Sequence, residues 1–244
     1  MTLAPCCSYT CGVATPYPPN DIAPVMAPSL LAADFSVDAA RLVEGVADWL
    51  HVDIMDSVFV PNRTIGLDEV QGLRKATTIP FDCHLMIVEP ELWATRYAGV
   101  GADTVTFHAE ASDDPVALAR DIRAAGAHPG LAIDRDTPIE PYLDLLPHFD
   151  LLLVMTIKAG LGGQDFRPEL LTKVRAARRH VATGHLRLRI EVDGGIDEQT
   201  IAEAARAGAD TFVAGTAVFD ADDPVGMVRR LRALAEAQLK DRSP

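Results

Sequence analysis

From residue 24 onward, short apolar runs alternate with stretches of helical period. The runs fall at Pro24–Leu31, Trp49–Ile54, Phe81–Ile87, Thr104–His108, Gly130–Ile133, Leu151–Thr156, Leu188–Val192 and Thr211–Ala214. Continuous apolar runs of this length read as strands covered on both faces, as in a parallel sheet. Between them, stretches such as Pro168–Arg179 and Glu198–Ala207 repeat apolar residues at helical spacing. Three approaches to a strand share one phrase, Gly101-Ala102-Asp103, Gly126-Ala127-His128 and Gly208-Ala209-Asp210. A glycine there suits the left-handed residue that ends a helix before a short turn. Eight such strand–helix units in 244 residues predict a (β/α)8 TIM barrel, a fold of about 250 residues. A doubly wound open sheet competes, but its G-x-G-x-x-G after the first strand is absent. One α/β barrel domain is therefore expected over residues 24–244. Residues 1–23, with Pro16-Tyr17-Pro18-Pro19 and no apolar period, predict a disordered leader.

Composition narrows the partners. The chain is 48% apolar, enough for one large core, and 35 acidic against 22 basic residues leave a net charge of −13. Such a surface argues against nucleic acid and anionic membranes. No apolar run approaches the ~20 residues that span a bilayer. The first basic residue is Arg41 and no apolar segment of signal-peptide type precedes it, so no secretory signal is expected. Cys6, Cys7, Cys11 and Cys83 do not space like a disulfide framework, which points to a reducing, cytoplasmic setting. Cys6-Cys7-Cys11 lacks a second ligand pair for a metal.

Functional groups of such a barrel belong at the C-terminal ends of its strands. Ionisable residues inside apolar runs are therefore informative. His51 and Asp53 stand at i and i+2 of the second run, hence on one face; His84 ends the third run and Asp193 the seventh. Two imidazoles and two carboxylates from three strands suit one divalent ion, Zn, Fe, Mn or Co, with a position open to a substrate oxygen.

The stretches around these residues run Ala27-Pro28-Ser29-Leu30-Leu31, His51-Val52-Asp53-Ile54-Met55-Asp56, Phe59-Val60-Pro61-Asn62 and His84-Leu85-Met86. They continue with Gly162-Gly163-Gln164, Glu191-Val192-Asp193-Gly194-Gly195 and Val213-Ala214-Gly215-Thr216-Ala217. In order and spacing, from about residue 27 to 235, the chain resembles the ribulose-phosphate 3-epimerase family. The resemblance implies that His51, Asp53, His84 and Asp193 bind one divalent metal. It implies that Asp53 and Asp193 are acid and base on opposite faces of the substrate. It also makes Ser29, His84 and the glycine loops substrate contacts. D-ribulose 5-phosphate to D-xylulose 5-phosphate, in the pentose phosphate pathway, is the expected reaction.

The chemistry agrees with that role. Moving a proton at C3 of a 2-ketose needs two carboxylates in different protonation states, and a metal beside the developing enediolate contributes most. Met55, Met86 and Met155, at strand ends on one rim, would wall off water. Gly162, Gly163 and Gln164 follow the sixth run, Gly194-Gly195 the seventh and Gly215-Thr216 the eighth. These loops predict the phosphate cradle, using backbone N–H groups.

Departures from the family pattern keep other readings open. Ser57 stands where glycine is usual, and Lys158-Ala159-Gly160-Leu161 replaces a Pro-Gly-Phe arrangement. A related 3-epimerase, acting for example on allulose 6-phosphate, is one alternative. A Schiff-base aldolase using Lys158 and a non-catalytic sugar-phosphate sensor are others. His108 is expected to face the site, His128, His148 and His185 to be surface residues, and Arg178-Arg179 and Arg229-Arg230 to be solvated helix faces. The partners expected are a small phosphorylated ketose and further copies of the chain in a homo-oligomer.

Overall fold

A computed structural model describes residues 23–240. The leader ahead of Ala23 and the Cys6-Cys7-Cys11 cluster lie outside the described residues. Among those residues, eight strands form one parallel sheet. They are β1 (Val25–Pro28), β2 (Leu50–Met55), β3 (Phe81–Met86), β4 (Thr104–His108), β5 (His128–Ile133), β6 (Leu151–Met155), β7 (Arg189–Asp193) and β8 (Thr211–Ala214). From β2 to β8 each pairs with its sequence neighbour, and β8 pairs with β1. A parallel bridge between Ser29 and His51 closes the seam between β1 and β2, aided by Trp49 N donating to Met26 O at 3.3 Å. The sheet is a barrel, so the doubly wound alternative falls away.

The helices are α1 (Val37–Leu42), α2 (Leu67–Arg74), α3 (Ala94–Gly99), α4 (Pro115–Ala124), α5 (Leu171–Gly184), α6 (Ile201–Ala207), α7 (Thr216–Phe219) and α8 (Pro224–Leu239). Between β5 and β6 the crossover is a 3-10 helix, Glu140–His148, that contains Pro147. Proline there removes a helical donor and clashes with the preceding turn, which disfavours an α-helix. Several expected boundaries shift; the helix expected from Glu198, for example, begins at Ile201. The first run stops as a strand at Pro28, and Leu30–Ala33 form a 3-10 helix capped by Ser29 Oγ on Leu31 N. The expected helix at Pro168 opens with a 3-10 turn, Pro168–Leu170, before α5. The recurrent glycines Gly101, Gly126 and Gly208 have φ of +103°, +97° and +133°.

Strand alternation sorts the side chains. One set, including Val52, Cys83, Leu85, Phe107, Val154 and Phe212, joins the helices in the main core. The other set faces the barrel axis. There, Val25, Ala27, Trp49, Leu151 and Val213 pack at the N-terminal end, and Met55, Met86, Ala132, Leu153 and Met155 pack at the C-terminal end. Between these layers lie His51, Asp82, His84, Thr106, His108 and Glu191, all fully buried. Burying so many polar groups is costly unless they partner one another.

The N-terminal rim is tied by a repeated device. Asp48, Asp103 and Asp210, which precede or sit just ahead of β2, β4 and β8, reach back to the preceding odd strand. Their carboxylates accept from Met26 N (2.7 Å), Phe81 N (2.9 Å) and Ile190 N (3.1 Å). Asp150, ahead of β6, holds His128 Nδ1 at 3.1 Å. Arginines from the helices clamp three of these acids: Arg232 on Asp48, Arg123 on Asp150 and Arg178 on Asp210, at 2.9, 3.0 and 2.6 Å. Arg178 and His128 are thus half-buried partners rather than the solvated residues expected from sequence. Arg229 and Arg230 are exposed, as expected.

Candidate active site

The C-terminal mouth of the barrel opens into a cavity of about 960 Å³. Asp53 and Asp193 lie at its floor, while His51 and His84 lie fully buried just beneath them. One ligand atom from each of these residues lies within 4.8 Å of all the others. His51 Nε2 stands 3.3 Å from Asp53 Oδ1, 3.8 Å from Asp193 Oδ2 and 3.4 Å from His84 Nδ1. His84 Nδ1 makes the same approaches to the two carboxylates, 3.3 and 3.8 Å. The four residues singled out from three separate runs therefore meet at one point.

Strand register explains the meeting. His51 and Asp82 are opposite each other in the β2–β3 ladder, as are Asp53 and His84. Asp82 Oδ2 lies 2.7 Å from His51 Nδ1, and Asp82 Oδ1 accepts from Thr106 Oγ1 at 3.1 Å. A neutral His51 thus carries its proton on Nδ1 and presents the bare Nε2 to the cluster. Thr106 in turn needs Gly130 on the neighbouring strand, because any Cβ there would run into its side chain. Glu191, on the axis-facing side of β7 two residues before Asp193, completes a second group with His51 and Asp82.

The charges separate accordingly. Burial raises the Asp53 carboxyl, but His51 and His84 outweigh it and hold Asp53 well below the usual carboxylate range. Burial, with Asp53 and Asp82 nearby, pushes Asp193 up to about 7 against the pull of His51. Burial lowers His84 to about 4, aided by neighbouring His108 and His51. Burial acts against charge on His51 too, but Asp53 and Asp82 raise it well above its ordinary value. Burial and Asp82 push Glu191 up strongly, and both of its buried carboxyl oxygens lack a hydrogen-bond partner. The donor set of two imidazole nitrogens and two carboxylate oxygens fits a divalent ion. These acceptors crowd one point, and a cation among them offsets their mutual repulsion.

The other predicted residues distribute around the cavity. Ser29 Oγ donates to Asp53 Oδ2 at 2.7 Å as well as capping its own 3-10 helix. Met55, Met86 and Met155 line the cavity wall and are buried. Gly162, Gly163, Gly194, Gly195, Gly215 and Thr216 also line the cavity, from the loops after β6, β7 and β8. Gly195 has φ +67°, and a Cβ there would meet Phe166 N at 2.7 Å, so two loops approach closely. Gln164 lines the cavity, yet its amide donates to Lys158 O and Leu161 O at 2.7 Å each. It staples its own loop. Lys158 is an exposed loop residue, a setting without the desolvation that activates a Schiff-base lysine. Ser57 adopts φ +67° in the loop after β2, which is why glycine suits that position. Asp56 organises this loop by accepting from Val58 N, Phe59 N and Val88 N, all at 2.8 Å.

Sequence reasoning passed over Asp82, Glu191 and Glu110. Asp82 and Glu191 stand two residues before His84 and Asp193, so the same-face rule that paired His51 with Asp53 applies to them. His108, expected to face the site, contacts it through His84: the two Nε2 atoms are 2.9 Å apart.

A parallel barrel whose C-terminal mouth gathers paired imidazoles and paired carboxylates under glycine-rich loops is the layout of a barrel enzyme built for acid–base chemistry. Solved structures share the fold: KGPDC from Streptococcus mutans in complex with D-R5P matches with a TM-score of 0.66 at 18% identity, over 89% of this chain and 99% of that one. The 3-hexulose-6-phosphate synthase from Salmonella typhimurium matches at 0.62 and 21% identity, over 88% of this chain and 99% of that one. Sequence comparison is more specific. The model of the Ribulose-phosphate 3 epimerase family matches residues 25–219. The ribulose-phosphate 3-epimerase of Mycobacterium tuberculosis is 59% identical over 216 residues, 88% of this chain and 94% of that protein. That of Candida glabrata is 40% identical over 90% of this chain and 95% of its own length. The cytoplasmic isoform of Oryza sativa is 44% identical over 86% of this chain and 94% of its own. The chain belongs to the ribulose-phosphate 3-epimerase family and is an isomerase of the epimerase type.

Proposed function

We propose that this chain interconverts D-ribulose 5-phosphate and D-xylulose 5-phosphate by two-base proton transfer at C3. One observation carries the mechanism: Asp53 and Asp193 converge on one point with His51 and His84, and in the metal-free protein their surroundings pull their proton affinities apart. Asp53, kept ionised, takes the C3 proton on one face. Asp193 returns one on the other face. The roles exchange in the reverse direction. His51, Asp53, His84 and Asp193 would hold a divalent ion, Zn, Fe, Mn or Co, which when bound would supply Lewis acidity for the ketose. Ser29 orients Asp53 through its 2.7 Å hydrogen bond. Met55, Met86 and Met155 keep water from the C3 carbanion centre. The loops bearing Gly162, Gly163, Gly194, Gly195, Gly215 and Thr216 bind the phosphate through backbone N–H groups.

Residues 24–244 are read as the catalytic domain and residues 1–23 as a leader. The enzyme is read as cytoplasmic, which the rice relative's designation and the lack of any membrane-length apolar helix among the described residues support. It is also read as a homo-oligomer, supported by the exposed apolar side chains Val58, Leu92 and Trp93. Metal-reconstituted protein given D-ribulose 5-phosphate in deuterated water tests the reaction. Xylulose 5-phosphate with deuterium at C3 is the expected product; unlabelled product or no turnover refutes proton exchange at that carbon.

A further inference from the structure

We propose that His108 and Glu110 form a positioning relay that decides which ring nitrogen His84 offers to a divalent ion, an inference that rests on the metal-site reading above. His84 faces two ways. Its Nδ1 lies 3.3 Å from Asp53 Oδ1, and its Nε2 lies 2.9 Å from His108 Nε2. Two imidazole nitrogens at that distance must divide the roles, one donating and the other accepting. His108 Nδ1 lies 3.1 Å from Glu110 Oε2, and a carboxylate only accepts, so this Nδ1 carries the proton of His108. His108 Nε2 is then the acceptor and His84 Nε2 the donor. The lone pair of His84 Nδ1 is left aimed at the cluster.

The relay is braced at each step. The His84 and His108 rings stack at 5.0 Å and 26°, and Phe59 packs at 4.8 Å on His108. Glu110 Oε1 accepts from Asp134 N at 2.9 Å, and Lys173 of α5 donates to Asp134 O and Arg135 O at 2.7 Å each. The orientation of a buried ring is thus tied to a loop after β5 and to a helix outside the barrel. Asp82 does the equivalent work for His51 in one contact. The two imidazoles consequently present opposite nitrogens, Nε2 from His51 and Nδ1 from His84. The other tautomer of His84 would aim an N–H at the cluster and exclude a cation.

The test uses Co2+ as probe on the wild type, His108→Leu, His108→Gln and Glu110→Leu. Visible absorption reports ligand geometry, and a chromogenic chelator reports the rate of ion loss. His108→Leu removes the acceptor, so the ion leaves about 10–100 times faster with an altered absorption band. His108→Gln, whose amide oxygen accepts the same hydrogen bond, stays near wild type, and Glu110→Leu falls between. A packing role against Phe59 alone would reverse the order of the two His108 variants, since leucine fills an apolar contact better than glutamine. That reversed order, or equal rates throughout, overturns the relay. Should His108→Leu not fold, faster loss from Glu110→Leu than from His108→Gln still supports the relay, and equal rates still overturn it. Failure of the wild type to hold Co2+ overturns the metal-site reading as well; tight binding with equal rates overturns the relay alone.

Discussion

Asp210 and Asp193 bracket the same pair of strands at opposite ends of the barrel. At the N-terminal rim, Asp210 accepts from Ile190 N and from Arg178, so its charge is neutralised and its oxygens are satisfied. At the C-terminal rim, Asp193 faces Asp53 and two imidazoles, with no arginine among its ion-pair partners in the described residues. The first arrangement repeats in full at Asp48 and in part at Asp103, which has the backbone donor, and at Asp150, which has the arginine. It joins each even strand to the odd strand before it, which is what a stability device should do. The second concentrates like charge in a buried place, which costs stability and perturbs proton affinities. The same residue type thus holds the barrel at one end and is set up for chemistry at the other.

The largest expected effect breaks the functional end alone. Asp53→Asn or Asp193→Asn should each lower kcat by about 10²–10⁴-fold, the usual contribution of one acid or base. Neither variant should unfold at a lower midpoint than wild type, so the lost turnover does not come from lost folding. Full turnover in either variant, followed by the ribulose-to-xylulose conversion, would remove the two-base assignment.

A second measurement asks whether the functional end costs stability. In metal-free protein the Asp193 carboxyl titrates near 7 when folded but near 3.8 when exposed. Between those values the folded state holds a proton that the unfolded state has released. Stability from this group therefore falls as pH rises from about 4 to 7. Metal-free Asp193→Asn should gain on wild type over that window, on the order of 1–3 kcal/mol at pH 8. Urea unfolding at pH 5 and pH 8 checks this, and an unchanged difference between the two pH values counts against it.

The stability end gives the mirror result. Asp210→Ala leaves Ile190 N without its acceptor and Arg178 with only Gly208 O, and should cost about 1–3 kcal/mol with kcat unchanged. A loss of activity without a loss of stability would mean that the two rims are not separate in function. The smallest effect concerns Ser57. Because its φ of +67° is one that glycine adopts freely, Ser57→Gly should stabilise by about 0.5–1 kcal/mol, the left-handed strain exceeding the added chain entropy. Thermal unfolding resolves a shift of this size, and a lower midpoint would show that the serine is accommodated without strain.

Much of this was legible along the chain. The axial face of a strand repeats every second residue, so spacing alone puts His51 and Asp53 on one face. The apolar runs located the strands to within a few residues, except at Leu30 and Leu31. There the capping hydroxyl of Ser29 starts a 3-10 turn that hydrophobicity does not register. Asp82 and Glu191 obeyed the same alternation, yet inside apolar runs they gave no sign of which partner they would meet. Arg178 looked like a solvated helix residue, because its partner Asp210 lies on a different element.

By itself, then, the sequence determined the strand–helix alternation, the faces on which the four cluster residues lie, and the glycines that let loops approach one another. Tertiary structure alone decided the rest. Closure at Ser29 and His51, and a register that sets His51 against Asp82 and Asp53 against His84, brought four side chains from three strands within one ion's reach. The hydrogen-bond partners of each imidazole then chose the nitrogen it presents. Alternation is a local property of a strand, whereas contacts across a barrel depend on register and closure, which no single segment encodes.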